Sequence, residues 1–268
     1  MSPVALCGVL GDPVTHSRSP AIQNAAFRAA GLDWRYVRLP VSPERFDELV
    51  QALPASGYRG ANVTIPHKRA ALRVAGQASP AARAIGAANT LVFAGDEIEA
   101  DNTDAAGFLD ALSSPVGGRR ALVLGAGGAG RAVAWALREA GAREVLVWNR
   151  TPARARELAR DLDVTHTAAP APADLLVNAT SVGLDPTVGE SEALAALGLT
   201  ELDPPEVVVD LVYRANGEAT PVCAWGARGG ATVIDGIEML VAQGARSFEL
   251  WTGLNAPVDA MRRAATAR

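Results

Sequence analysis

Residues 121–148 read ALVLGAGGAGRAVAWALREAGAREVLVW. ALVLG is a short apolar run of the kind that forms a buried strand, and Gly125-x-Gly127-x-x-Gly130 follows it at once. RAVAWALREAG then repeats its apolar positions with helical spacing as far as Gly141, and EVLVW is a second strand. Strand, glycine loop, helix and strand make one complete βαβ unit. In such a unit the glycines allow a tight turn, a close backbone approach to a pyrophosphate and close helix–strand packing, and the helix N-terminus holds the anion. The loop Gly125, Gly127, Gly128, Ala129 and Gly130 is therefore a candidate dinucleotide site.

The end of the second strand selects the dinucleotide. NAD readers place a carboxylate there to bond the ribose hydroxyls. This strand ends Trp148-Asn149-Arg150-Thr151, with an arginine and no acid. Arg150 suits a 2′-phosphate, because a guanidinium pairs bidentately with phosphate oxygens. Thr151 reads as an N-cap before Pro152, and Arg154 lies in the same first turn; the cofactor expected is NADP.

Outward from this unit, DLLVNAT and VVVDLVY are further strands, and TPVCAWGARGG is a helix capped by Thr220. ATVID is a last strand before two amphipathic helices, GIEMLVAQGARSFELWTG and APVDAMRRAATA. Towards the N-terminus, strands VALCGVLG, WRYVRLPV and GANVTIP alternate with helices AIQNAAFRAAG, SPERFDELVQAL and HKRAALRVA. Ser19 reads as an N-cap with Pro20 behind it, and Asp104 as the cap of a helix beginning in NTDAAG. The alternation predicts an α/β fold in two parts, an open α/β domain ahead of a Rossmann-type domain.

Bulk properties exclude other classes. With 268 residues, 49% hydrophobic and 20% charged, the chain reads as a globular protein with room for two cores. A net charge of −4 argues against a nucleic-acid surface. Cys7 and Cys223 are too few for a disulfide framework, and His16, His67 and His166 lack metal-ligand spacing, so no metal is expected. The absence of a basic, apolar leader or of a run of about 18 apolar residues predicts a cytoplasmic protein with no membrane partner.

Lys68, in NVTIPHKRA, is the only lysine; the other 24 basic residues are arginine. Coding bias alone can leave one lysine in such a chain. Its position gives a chemical reading, because an amine can exchange a proton where a guanidinium cannot. Lys68 sits where a strand hands over to a helix, the edge at which open α/β sheets bind ligands. The segment ANTLVFAGDEIEADNTDAAGF adds Asn89, Asn102 and Asp104, which with Lys68 form a polar set suited to a hydroxylated, anionic small molecule.

Taken in order, these segments resemble the shikimate dehydrogenase family over nearly the whole chain. GDPVTHSRSPAIQNAAF resembles its substrate-carboxylate loop, NVTIPHK its catalytic-lysine segment, and GAANT and NTDAAG its substrate segments. GAGGAGRA and NRT resemble its NADP fingerprints, and NATSVGL, DLVY and DGIEMLVAQGARSFELWTG are further matches. Ala105 departs from the glycine usual after the family's aspartate.

The resemblance implies reversible reduction of 3-dehydroshikimate to shikimate by NADPH, with Lys68 as proton donor and acceptor beside Asp104. It implies that Ser17, Ser19, Thr64 and Tyr213 bind the substrate carboxylate, although Tyr213 also reads as a packed core aromatic. Asn89, Asp104 and Gln243 would then read the ring hydroxyls. Asn149, Thr180, Leu211 and Gly236 join the cofactor set. The C-terminal helices should return to the first domain, giving 1–102 with 236–268 for substrate and 103–235 for NADP, with hinges between them and a monomer or homodimer as the assembly. Two other readings remain: a quinate dehydrogenase with relaxed substrate or cofactor choice, and an NADP sensor without turnover. His16 and His67 flank the site and receive no role.

Overall fold

The computed structural model describes residues 4–112, 114–214 and 217–267. They divide into two compact units: residues up to Gly107 with Val241–Ala267, and Phe108–Leu240.

The first unit opens with β1 (Ala5–Gly11), α1 (Ser19–Ala29), β2 (Trp34–Pro40), α2 (Phe46–Ala52), β3 (Tyr58–Val63) and α3 (Lys68–Val74). It continues through β4 (Gln77–Ala78), α4 (Pro80–Ile85), β5 (Thr90–Ala94) and β6 (Glu97–Asp101). The sheet order is β2-β1-β3-β5-β6-β4. Only β5 runs against its neighbours, pairing antiparallel with β3 and with β6. A two-residue turn at Gly95-Asp96 allows this hairpin, with Gly95 at φ 63°. Phe46, Leu91, Leu10 and Val50 are among the fully buried residues of its core.

The second unit contains β7 (Arg120–Leu124), α6 (Gly128–Glu139), β8 (Glu144–Trp148), α7 (Pro152–Leu162), β9 (Thr165–His166) and β10 (Leu175–Asn178). It adds α8 (Glu190–Ala196), β11 (Val207–Asp210), α9 (Pro221–Arg228) and β12 (Thr232–Ile234). Its six strands lie in the order β12-β11-β10-β7-β8-β9. Every pair is parallel. The order reverses between β7 and β10, the switch point at which doubly wound sheets bind dinucleotides.

Two helices carry the chain between units: α5 (Thr103–Ala111) and α10 (Gly236–Thr252), the latter followed by α11 (Val258–Thr266). The divisions fall at 107/108 and 240/241, inside helices, where the family resemblance implied 102/103 and 235/236. Close packing explains the shift: a Cβ on Gly107 would lie 2.6 Å from Gln243 Cα, so the first turn of α5 belongs with α10 in the first unit. α10 also docks on the sheet through Trp251, whose Nε1 donates to Leu91 O at 3.0 Å. α11 packs on α1, where Arg18 Nη1 donates to Ala265 O at 2.8 Å. No helix among the described residues is long and apolar enough to cross a membrane.

Candidate active site

Lys68 is placed by the turn after β3. Thr64 N donates to Leu10 O at 2.8 Å, and His67 N donates to Thr64 O at 2.9 Å. The His67 ring is buried, stacked on Phe46 at 4.5 Å, with Nε2 2.8 Å from Val41 O. This histidine is therefore an anchor committed to the core, whereas His16 is exposed. Lys68 Nζ donates to Asp104 Oδ2 at 2.6 Å, and the two side chains are 15% and 11% exposed. In a pair so shielded from water, removing one partner leaves an uncompensated charge, which costs several kcal/mol. The carboxylate thus orients the amine while leaving it an accessible face.

Asp104 is free for that role because another residue caps its helix. The sequence made Asp104 the N-cap; instead Asn102 Oδ1 accepts from Ala105 N at 3.3 Å, and Asp104 lies inside the first turn of α5. Ala105 is buried there without displacing the carboxylate. Asn89 Nδ2 donates to Asp104 Oδ1 at 2.8 Å and approaches Gln243 Oε1 at 3.4 Å. Lys68, Asn89, Asp104 and Gln243 are therefore brought together, from α3, the segment before β5, α5 and α10.

The serine loop needs a second correction. α1 begins at Ser19 itself, with Arg18 at the N-cap and no side-chain cap, so Ser19 is not the capping residue the sequence suggested. Ser19 N donates to Ser17 Oγ at 3.2 Å, which pairs the two serines. Arg38 Nη2 holds this loop through Ser17 O at 2.7 Å. Thr64 is half-buried beside Gly11, where a Cβ would strike its methyl group.

In the second unit, the glycine loop leaves β7 and enters α6. Gly125 stands at φ 110°, and a Cβ there would sit 2.8 Å from Ala179 O. A Cβ on Gly130 would collide with Gly125 O, so both glycines are required by the turn. Gly127, the N-cap of α6, is different: nothing lies within 4 Å of its would-be Cβ. With Gly128 and Ala129 it opens the helix N-terminus to an approaching anion. Asn149 Oδ1 accepts from Ala126 N at 3.2 Å, tying this loop to the end of β8. Arg150, Thr151 and Arg154 are exposed beside it, and Thr151 is the N-cap of α7 without a side-chain bond. A glycine cradle with two exposed guanidiniums fits a pyrophosphate and a further phosphate.

The neighbouring loops meet at Asp210, which the sequence did not single out. Asp210 is fully buried. Its Oδ1 accepts from Asn178 Nδ2 at 2.9 Å and from Val212 N at 3.0 Å, and its Oδ2 from the Thr220 hydroxyl. Burial pushes its carboxyl up to about 6, against the pull of these three donors. Asn178 in turn accepts from Thr180 N at 3.1 Å and Thr180 Oγ1 at 2.7 Å. Leu211 N donates to Asn178 O at 3.0 Å. Thr180 and Leu211 are therefore both held on Asn178, which Asp210 orients. Gly236 packs directly on this strand end, since a Cβ would lie 2.5 Å from Val212 O. Tyr213 belongs to this unit and is half-buried. Among the described residues, no group of His, Cys, Asp or Glu is arranged to hold a metal.

Three family models match the chain. The shikimate dehydrogenase substrate binding domain covers residues 9–91, shikimate / quinate 5-dehydrogenase residues 110–210, and the shikimate 5′-dehydrogenase C-terminal domain residues 236–266. A shikimate dehydrogenase (NADP(+)) of Geobacter metallireducens is 42% identical, over 96% of this chain and 94% of its own. The shikimate 5-dehydrogenase of Thermus thermophilus, solved with NADP(H) and shikimate, is 41% identical with a TM-score of 0.84 over 98% of both chains. The 5-ketofructose reductase of a Gluconobacter strain also superposes, at 30% identity and a TM-score of 0.84, over 99% of both chains. One scaffold thus serves more than one ketone, and the site residues must decide.

Proposed function

Because this chain belongs to the shikimate dehydrogenase family, we propose that it catalyses the reversible NADPH-dependent reduction of 3-dehydroshikimate to shikimate, a step of aromatic amino acid biosynthesis. The observation that carries this reading is the Lys68–Asp104 pair at 2.6 Å, in a chain with no other lysine. NADPH supplies the hydride to the ketone carbon. Negative charge then develops on the carbonyl oxygen, and an ammonium group stabilises it and delivers the proton. Lys68 performs this step, with Asp104 orienting it. In the oxidation direction Lys68 must accept the proton, so that rate rises with pH.

Ser17, Ser19, Thr64 and Tyr213 bind the substrate carboxylate; Asn89, Asp104 and Gln243 read the hydroxyls. Discrimination follows because a wrong substrate leaves buried polar groups unpaired. The Gly125–Gly130 loop carries the pyrophosphate, with Asn149, Thr180, Leu211 and Gly236 around the remainder of the dinucleotide. Arg150, with Thr151 and Arg154, takes the 2′-phosphate. A single assay tests the whole reading: initial rates with shikimate or quinate, each with NADP+ or NAD+, followed by absorbance of the reduced nicotinamide. Shikimate with NADP+ is expected to be fastest. A faster rate with quinate or NAD+ favours a relaxed quinate/shikimate enzyme, and no turnover in any arm refutes the proposal.

A further inference from the structure

Behind Asp104 lies a buried set of neutral polar side chains drawn from four parts of the first unit. Thr90 of β5, Thr103 of α5 and Ser247 of α10 are 0%, 3% and 0% exposed. Their hydroxyl oxygens form a triangle with sides of 3.1 Å (Thr90–Thr103), 3.0 Å (Thr90–Ser247) and 3.1 Å (Thr103–Ser247). Asn62 of β3 donates into it, from Nδ2 to Ser247 Oγ at 2.8 Å and towards Thr90 Oγ1 at 3.1 Å. The Asn62 Oδ1 accepts from the buried Tyr36 hydroxyl at 2.7 Å.

The chain of bonds reaches the Lys68–Asp104 pair through Asn89. Thr103 grips that amide at two points: its backbone N donates to Asn89 Oδ1 at 2.7 Å, and its Oγ1 accepts from Asn89 Nδ2 at 3.0 Å. A backbone N–H can only donate, so Asn89 Oδ1 must face Thr103 and Nδ2 must face Asp104 Oδ1. One Nδ2 proton goes to Asp104 and the other to Thr103. Ser247 lies 3.1 Å from the Thr103 hydroxyl and donates to Gln243 O at 3.1 Å, so its oxygen is open to the Thr103 proton, for which Asn89 Oδ1 at 3.2 Å is a second acceptor. The Thr103 backbone N–H and the Asp104 carboxylate fix the orientation of the Asn89 amide, and the three hydroxyls, which can each donate or accept, complete the circuit around it.

We propose that Thr103 and Ser247 are positioning residues for proton transfer, fixing the plane and polarity of the Asn89 amide and so the placement of Asp104 against Lys68. This rests on the reading of Lys68 as the proton-transfer group. Neither residue is assigned to substrate or cofactor; both act through Asn89.

The test compares wild type with Thr103→Val, which keeps the shape and the backbone donor, Thr103→Ser, which restores the hydroxyl, and Ser247→Ala. Each is assayed for shikimate oxidation across pH with saturating NADP+. The expected result for Thr103→Val is a fall in kcat of about tenfold, the scale of one buried donor losing its acceptor. The KM for NADP+ should hold, and the rising limb of the profile should move to lower pH, as when an opposite charge beside an amine is less firmly held. Thr103→Ser should restore both rate and profile, and Ser247→Ala should share the displaced profile to a smaller degree. A merely structural role would lower the melting temperature and leave the profile in place. Folded Thr103→Val with an unmoved profile, or a Thr103→Ser enzyme as impaired as Thr103→Val, overturns the inference. Wild type without a lysine-dependent rate would instead overturn the reading beneath it.

Discussion

An arginine cannot exchange a proton in water, so a chain with a single lysine has one side-chain amine with which to do so. That residue lies against a carboxylate, while the adjacent His67 is spent on packing. In the proposed reading Arg150 illustrates the opposite use of a cation, as a fixed charge that reads phosphate. Replacing Arg150 by alanine is expected to raise the KM for NADPH about 10–100-fold, the equivalent of losing about 1.5–3 kcal/mol of charge-assisted hydrogen bonding. Steady-state titrations should show the KM for NADH changing little; an equal effect on both cofactors would remove Arg150 from the 2′-phosphate site. The Lys68–Asp104 set was legible in the sequence because each residue stands at a recognisable strand–helix junction. Thr103 and Ser247 were not, because their partnership spans 144 residues and neither has a local signature.

At the scale of elements, the ends of β10 and β11 and the cap of α9 converge on Asp210. Its carboxyl is raised from the ordinary 3.8 to about 6. The folded state therefore holds the proton more tightly than the unfolded state. The resulting stability is fully present below pH 3.8 and is lost as pH rises through 6. The effect is at most on the order of 3 kcal/mol. Asp210→Asn keeps the size and removes the titration, so the difference in melting temperature between variant and wild type should shift in the variant's favour from pH 5 to pH 7.5. A difference that does not vary across that range would show that Asp210 does not titrate there. Capping was the weakest part of the sequence reading. Thr220 accepts from Cys223 N as expected, but Ser19 and Asp104 give way to Arg18 and Asn102. A Ser or Asp near a helix start satisfies the same local pattern whether it caps the helix or serves a site, and only tertiary partners separate the two. The Rossmann unit was the clearest part, since its βαβ pattern is local. The antiparallel β5–β6 hairpin was not assigned from sequence, although its Gly95-Asp96 pair is a recognised two-residue turn.

Over the whole molecule, two units divide the labour: one holds Lys68 with Asn89, Asp104 and Gln243, and the other holds the glycine loop with Arg150 and Thr180. The return of α10 and α11 to the first unit was inferred from family resemblance, because nothing in helical periodicity reports which partner a helix finds. The central claim is that one amine moves the proton in every turnover. Lys68→Arg tests it most directly, since it keeps the charge opposite Asp104 and avoids leaving a shielded carboxylate unpaired. The measurement is the initial rate of NADPH formation from shikimate and NADP+, with ligand binding followed in parallel. The account predicts that both ligands still bind while turnover falls by about 100-fold or more, the contribution of general acid–base catalysis. Turnover near that of wild type would contradict it.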